Sequence, residues 1–244
     1  MSNNKTILVG GMMQSGSHLL YNIVRNLLEE LDYGVECKYP NNSYSYKSST
    51  GKAEYLLDKS HHFKRIHDKN PDYCIVSYRD VRDTASSWSL KRNIRDKNAI
   101  ICRASENVGI FYEYKDQHKV NRLYWKYENY KNSLSAHYKY DTYFLLKNLS
   151  NFLQLDIGNY ENQEIKRIFD TVVHKTENII TSTSSEKTPR SERNEWGKTG
   201  MLRSHASLNK GKIGGFKNNI DRKTLNEIQN QCKDFLVNYG YKII

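Results

Sequence analysis

Ile7-Leu8-Val9-Gly10-Gly11-Met12-Met13-Gln14-Ser15-Gly16-Ser17-His18-Leu19-Leu20 is the stretch on which the reading of the chain turns. A short apolar run stops at two glycines, a small-residue turn follows, and apolar residues at helical spacing begin at once. Leu20, Ile23, Val24, Leu27 and Leu31 recur every three or four positions, with Arg25, Asn26, Glu29 and Glu30 on the opposite side. The pattern predicts a buried strand, a tight turn and an amphipathic helix. Such a junction aims unpaired N–H groups and the positive end of a helix dipole at one point, which suits a phosphate. Gly11 and Gly16 have the spacing of G-x-x-x-x-G-K-S/T, but Ser17 stands in the lysine position and His18 in that of the magnesium-binding hydroxyl. The turn has the parts to cradle a phosphate through its backbone and the Ser15 and Ser17 hydroxyls, and lacks those of ATP hydrolysis. The structural alternative is an ordinary strand-to-helix turn.

Downstream, Tyr33 to Lys38 reads as a second strand and Asn41 to Lys52 as a polar loop. Tyr55-Leu56-Leu57-Asp58 reads as a strand ending at Lys59-Ser60-His61-His62, and Tyr73 to Tyr78 as the clearest buried strand. The latter ends at Arg79, after which Asp80-Val81-Arg82-Asp83 leads into a helix capped by Asp83. A helix is expected from about Ile100 to Lys119, a strand at Leu123–Tyr127 closed by Glu128-Asn129, and helices at about Asp141–Leu153 and Glu161–Val173. Thr176 to Gly200, rich in Ser, Thr and charge, reads as a mobile loop. A glycine- and lysine-rich loop, Lys210 to Asn218, precedes a last helix from Asp221 with Leu225, Ile228, Cys232, Phe235 and Tyr239 on one face. Alternating strands and helices imply a parallel sheet, whose ligands bind beyond the carboxyl ends of the strands. The Gly11–Ser17 turn, the Lys59/His61 pair and Arg79 should therefore meet at one edge.

The length of 244 residues suits one α/β domain with a sizeable core or two small ones, and no linker composition forces a split. A formal net charge of +11 favours an anionic partner (a phosphorylated cofactor, an acidic substrate or nucleic acid), the alternative being a Lys/Asn/Tyr-rich compositional bias with a solvated surface. The four cysteines, Cys37, Cys74, Cys102 and Cys232, form no C-x-x-C pair, so buried thiols in a reducing compartment are expected. No stretch has the length of a membrane span, and the N-terminus lacks a signal-peptide pattern, so the expected localisation is cytoplasmic.

Arg79 at a strand end and Ser87 about one turn into the following helix can address the same anion, which a guanidinium grips bidentately. Lys59 and His61 alternate on an extended segment and so face the same way, offering a cation and a base, while His62 faces the other way. The histidines show no metal-ligand spacing, and no serine-hydrolase pattern follows Ser17.

Together these stretches resemble the sulfotransferases that use 3′-phosphoadenosine 5′-phosphosulfate (PAPS). Met13-Gln14-Ser15-Gly16-Ser17 looks like the family's 5′-phosphosulfate loop, P-K-S/T-G-S/T. Lys59-Ser60-His61 resembles its K-T/S-H segment, whose histidine implies the catalytic base. Tyr78-Arg79-Asp80-Val81-Arg82-Asp83 with Ser87 is similar to its 3′-phosphate signature. Tyr127-Glu128-Asn129 resembles the segment whose tyrosine lies near the adenine. Lys210-Gly211, Gly214, Phe216, Lys217 and Asn218 match the closing K-G-x-x-G-x-W/F-K-N segment, implying further 3′-phosphate contacts. The resemblance covers roughly Thr6 to Tyr130 and Leu208 to Tyr239. It departs from the family at Gln14, where a lysine is usual, at Leu19, where many members carry a tryptophan against the adenine, and at Asn209, an arginine in many members. Trp88 or Tyr127 is then left to stack on the base.

The implied architecture is a single α/β domain over residues 1–244, three-layered, with a central parallel sheet, helices on both faces and a P-loop NTPase-like phosphate-binding loop. The region of about 131–207 would shape the acceptor site. The implied activity is transfer of the sulfuryl group from PAPS to a hydroxyl or amine of a small-molecule or glycan acceptor. His61, Lys59 and Gln14 would do the chemistry. Gln14, Ser15, Gly16, Ser17, His18, Arg79, Ser87, Tyr127, Lys210 and Gly211 would hold the nucleotide, and no metal is required. The rivals are a nucleotide-dependent kinase, disfavoured by the absent lysine, and a non-catalytic nucleic-acid binder, suggested by the charge and the tyrosines. The sequence assigns neither the acceptor nor an oligomeric state.

Overall fold

A computed structural model describes residues 4–38, 46–47, 53–63, 70–117, 119–129, 139–157, 162–182 and 212–244. Strand β1 (Lys5–Gly11) is central, hydrogen-bonded on one side to β4 (Tyr55–Lys59) and on the other to β5 (Tyr73–Tyr78). Beyond β4 lies β2 (Val35–Lys38), and beyond β5 lies β6 (Asn121–Lys126). These five strands are parallel, and the sheet order is β3-β2-β4-β1-β5-β6. The sixth, β3 (Tyr46–Lys47), is a two-residue antiparallel edge inside the stretch expected to be loop.

A strand flanked by partners and covered on both faces reads as an unbroken apolar run, which is why Ile7, Leu8 and Val9 are all fully buried. Alternation then divides the core. Ile7, Val9, Leu57 and Ile75 face α1 (Ser17–Glu30), α4 (Lys139–Phe152) and α5 (Asn162–Ser182). Leu8, Cys74 and Val76 face α2 (Val81–Arg92), α3 (Lys97–Lys115) and the C-terminal helices α6 (Phe216–Asn219), α7 (Arg222–Gln231) and α8 (Lys233–Asn238). Helices thus cover both faces of a central parallel sheet.

Several expectations change. Arg25 and Asn26, expected on an exposed side, are buried because α5 packs over α1: Asn26 donates to Thr176 Oγ1 at 3.0 Å and Arg25 pairs with Glu29 at 2.7 Å. Helix α5 runs on to Ser182, so the first residues of the expected Thr176–Gly200 loop are helical, and residues 183–200 lie outside the described chain. The last helix is two, broken at Cys232. The cap of α2 is Asp80, which accepts from Arg82 N–H at 3.0 Å, rather than Asp83. All four cysteines are free thiols, three of them buried. Among the described residues no helix is long and apolar enough to cross a membrane.

Candidate functional site

Because β1, β4, β5 and β6 run parallel in register, Gly11, Lys59, Ser77 and Trp125 reach one edge of the sheet together. The chain leaves β1 towards β2 on one side and, after β4, crosses to β5 on the other. This is the kind of divergence beside which open α/β sheets leave a crevice. The convergence expected of the turn, the Lys59/His61 pair and Arg79 is therefore present.

The turn itself is strained and held from behind. Gln14 and Gly16 are left-handed, with φ of 63° and 83°. A Cβ on Gly16 would also lie 2.5 Å from the Tyr127 ring. The Ser15 hydroxyl is fully buried and committed, at 2.6 Å to both Met12 O and Ser77 Oγ, so it braces the turn rather than lining it. Ser17 opens α1 and is buried, and His18 follows it, partly exposed. Among the described residues, none accepts a hydrogen bond from the N–H groups of Gln14, Ser15 or Gly16. Those donors are what the turn can offer an anion.

At the end of β4, His61 Nδ1 lies 3.0 Å from Gly11 O and Nε2 lies 3.3 Å from Lys59 Nζ. A carbonyl only accepts, so Nδ1 carries the proton and Nε2 presents its lone pair to the lysine. Burial, then the Lys59 charge, lowers His61 to about 3, so the ring is neutral at physiological pH. Burial lowers the Lys59 ammonium to about 7, opposed by Asp58. His62 turns away to Glu113, 3.3 Å off, as alternation requires.

Arg79 is buried and occupied. Its Nη2 donates to Lys212 O at 2.7 Å and lies 3.5 Å from Asp83, and its guanidinium stands 4.6 Å from the centre of the Tyr127 ring. Its Nε is buried with no hydrogen-bond partner among the described residues. Asp83 also accepts from Gly214 N–H at 2.8 Å and Phe216 N–H at 3.2 Å, tying the C-terminal turn to α2. Ser87 lies buried in α2. Trp88 carries the Arg103 guanidinium 4.6 Å above its ring, and Tyr127 is buried between Gly16 and Arg79, so each ring named for base stacking already has a neighbour. Glu128 accepts from Asp80 N–H and from the Tyr241 hydroxyl, a bracing role. Lys210 and Gly211 lie outside the described residues.

Sequence reasoning missed the residues of α3. Tyr114 packs on Gly10, where a Cβ would lie 2.2 Å from its hydroxyl, and donates to Ser60 O at 2.9 Å. Asn107, fully buried, accepts from Met13 N–H at 3.0 Å and donates to Thr84 at 2.9 Å. The available signal was spacing: Arg103, Asn107, Ile110 and Tyr114 form one helical stripe.

No protein-family model matches the chain, and no curated protein matches its sequence.

Proposed function

We propose that the protein is a PAPS-dependent sulfotransferase acting on a hydroxyl or amine of a small-molecule or glycan acceptor. The observation that carries the reading is the trio of Lys59, His61 and Gly11. A neutral histidine in a fixed tautomer and a buried lysine meet at a turn whose N–H groups have no acceptor among the described residues. In this reading the turn is P-loop-like and takes the 5′-phosphosulfate on its backbone. Lys59 leaves His61 for a sulfuryl oxygen, which frees Nε2. The acceptor oxygen or nitrogen then attacks sulfur in line, and Nε2 takes its proton. The bond from sulfur to the bridging oxygen breaks, and 3′-phosphoadenosine 5′-phosphate (PAP) leaves with the electron pair. Arg79 reaches the 3′-phosphate by exchanging its Lys212 carbonyl contact, with Ser87 from α2, and the resemblance adds Lys210 to that grip.

The test is thermal stabilisation by PAP against ADP and ATP, with transfer of labelled sulfate from PAPS into a metabolite extract. At a hundredfold excess over its dissociation constant PAP adds about 2.7 kcal/mol, a shift of roughly 5–11 °C for a chain of this size. His61→Ala is expected to keep the PAP shift and to lower transfer by about 10²–10⁴-fold, with His62→Ala close to wild type. Equal shifts with ADP would remove the case for a 3′-phosphate site.

A further inference from the structure

Position 14 is glutamine, so the turn lacks the charge that the resemblance puts there. Among the described residues, Lys59, through His61 at Gly11, and Arg103, at Met13, bring cations to this side of the turn. Lys59 is 1% exposed, is lowered to about 7 by burial, and already donates to His61. Burial therefore works against its charge. Arg103 brings a guanidinium, the side chain suited to a bidentate grip on phosphate.

Helix α3 aims Arg103 at the turn. Along its inward stripe, Tyr114 covers Gly10 and Asn107 holds Met13 N–H. Arg103, one helical turn beyond Asn107, brings Nη1 to 3.1 Å from Met13 Sδ. The stripe therefore follows β1 off its end and delivers a guanidinium beside the residue that precedes Gln14. The Trp88 ring backs that guanidinium at 4.6 Å, and its Nε is buried with no hydrogen-bond partner among the described residues. The charge of Arg103 is also among those that lower His61, so its field reaches the base. The ion pair on Nη1 is Glu106, at 2.8 Å and with its side chain 46% exposed. A pair that open to water is weakly held and can yield to a phosphate.

We propose that Arg103 is the cation of this turn: it takes the place of the loop lysine, binds the 5′-phosphate and neutralises it as the sulfuryl group departs. The proposal rests on the sulfotransferase reading. Gln14 then supplies a neutral donor beside a charge that comes from another element.

Calorimetric titration with PAP and with adenosine 3′-phosphate, which lacks the 5′-phosphate, tests it in wild type, Arg103→Met, Gln14→Lys and the double variant. Arg103→Met is expected to weaken PAP about tenfold or more, the loss of a charge-assisted contact, and to leave adenosine 3′-phosphate within about twofold. Gln14→Lys should restore PAP affinity in the Arg103→Met background and add less than about threefold in wild type. Equal weakening of both ligands, or wild-type PAP affinity in Arg103→Met, would overturn the assignment. So would a tenfold gain from Gln14→Lys alone, about 1.4 kcal/mol, a measurement that does not depend on the Arg103 variant folding. A wild-type protein that binds PAP no better than ADP overturns the sulfotransferase reading itself, and this proposal with it.

Discussion

Burial lowers the Lys59 ammonium to about 7, so between pH 7 and roughly pH 10 the unfolded chain holds a proton that the folded chain has released. Stability therefore rises with pH through that window, by at most about 1.4 kcal/mol per pH unit from this residue. Lys59→Met removes the contribution. Urea midpoints should show the variant gaining on wild type at pH 6.5, with the gap closing towards pH 10; a gap that stays constant would mean that the charge is retained. His61, lowered to about 3, acts in an earlier window. From pH 6.5 down to about pH 3 the unfolded chain takes up a proton that the folded ring refuses, and stability is lost as pH falls. The same titration on His61→Gln should lack that part of the acid limb. Gly16 makes a different demand, since it is left-handed and its missing Cβ leaves room for Tyr127. Gly16→Ala is expected to cost about 2 kcal/mol or more, from the left-handed backbone and the clash together. Combined with Tyr127→Ala, it should cost less than the sum of the two single changes, because the clash is shared. Additive losses would leave the backbone alone responsible.

Asp83 joins two elements and shows where element-level reading stops. Its carboxylate accepts from the half-buried Gly214 and the buried Phe216 and faces the buried Arg79, although desolvation raises its pKa. Asp83→Ala strands a buried guanidinium and two N–H groups, an expected loss of about 3–5 kcal/mol. Hydrogen exchange at Gly214 and Phe216 should accelerate before that of the α2 amides does. Protection unchanged at those two amides would show that the turn is held by something else. From the sequence Asp83 looks like a helix cap, because local pattern sees only the neighbouring N–H groups and not those that the fold brings from the C-terminal turn. The same blindness put Arg25 and Asn26 on an exposed side of α1, since nothing in that helix announces that α5 will cover it. What was legible rested on period. The apolar runs of β1 and β5, the turn after β1 and the two-residue alternation of Lys59 and His61 needed no partner to be read, and they account for the sheet edge and the Lys59–His61 contact. For Arg103 the sequence offered only its spacing in a stripe of mixed polarity, and the register of that stripe against the turn is a tertiary fact.

At the scale of the whole molecule, the C-terminal segment closes the side of the sheet where α2 and β6 meet. Tyr241 donates to Glu128 at 3.2 Å, and the other Glu128 oxygen accepts from Asp80 N–H at 2.9 Å. Arg82 donates to Lys242 O at 2.8 Å, and Gln229 holds both the N–H and the carbonyl of Ile244 at 2.9 Å. Asp80 begins the helix that follows Arg79, so the segment braces the strand end from which the proposed 3′-phosphate contact projects. Removing residues 241–244 would leave parts of Arg82, Glu128 and Gln229 buried with fewer partners, at about 1–3 kcal/mol for each group stranded. Part of that is recovered where water enters, so an overall loss of about 3 kcal/mol is expected in urea unfolding. Ile243→Ser, at a side chain 46% exposed, is the control and should stay within about 0.5 kcal/mol. If the bracing reaches the site, the truncated protein should also lose affinity for PAP while keeping the Lys59–His61 pair, seen as an unchanged His61 titration by NMR. A truncation costing less than about 1 kcal/mol would mean that Arg82 and Glu128 hold the start of α2 without the tail. A normal PAP affinity in a destabilised chain would confine the segment's role to stability.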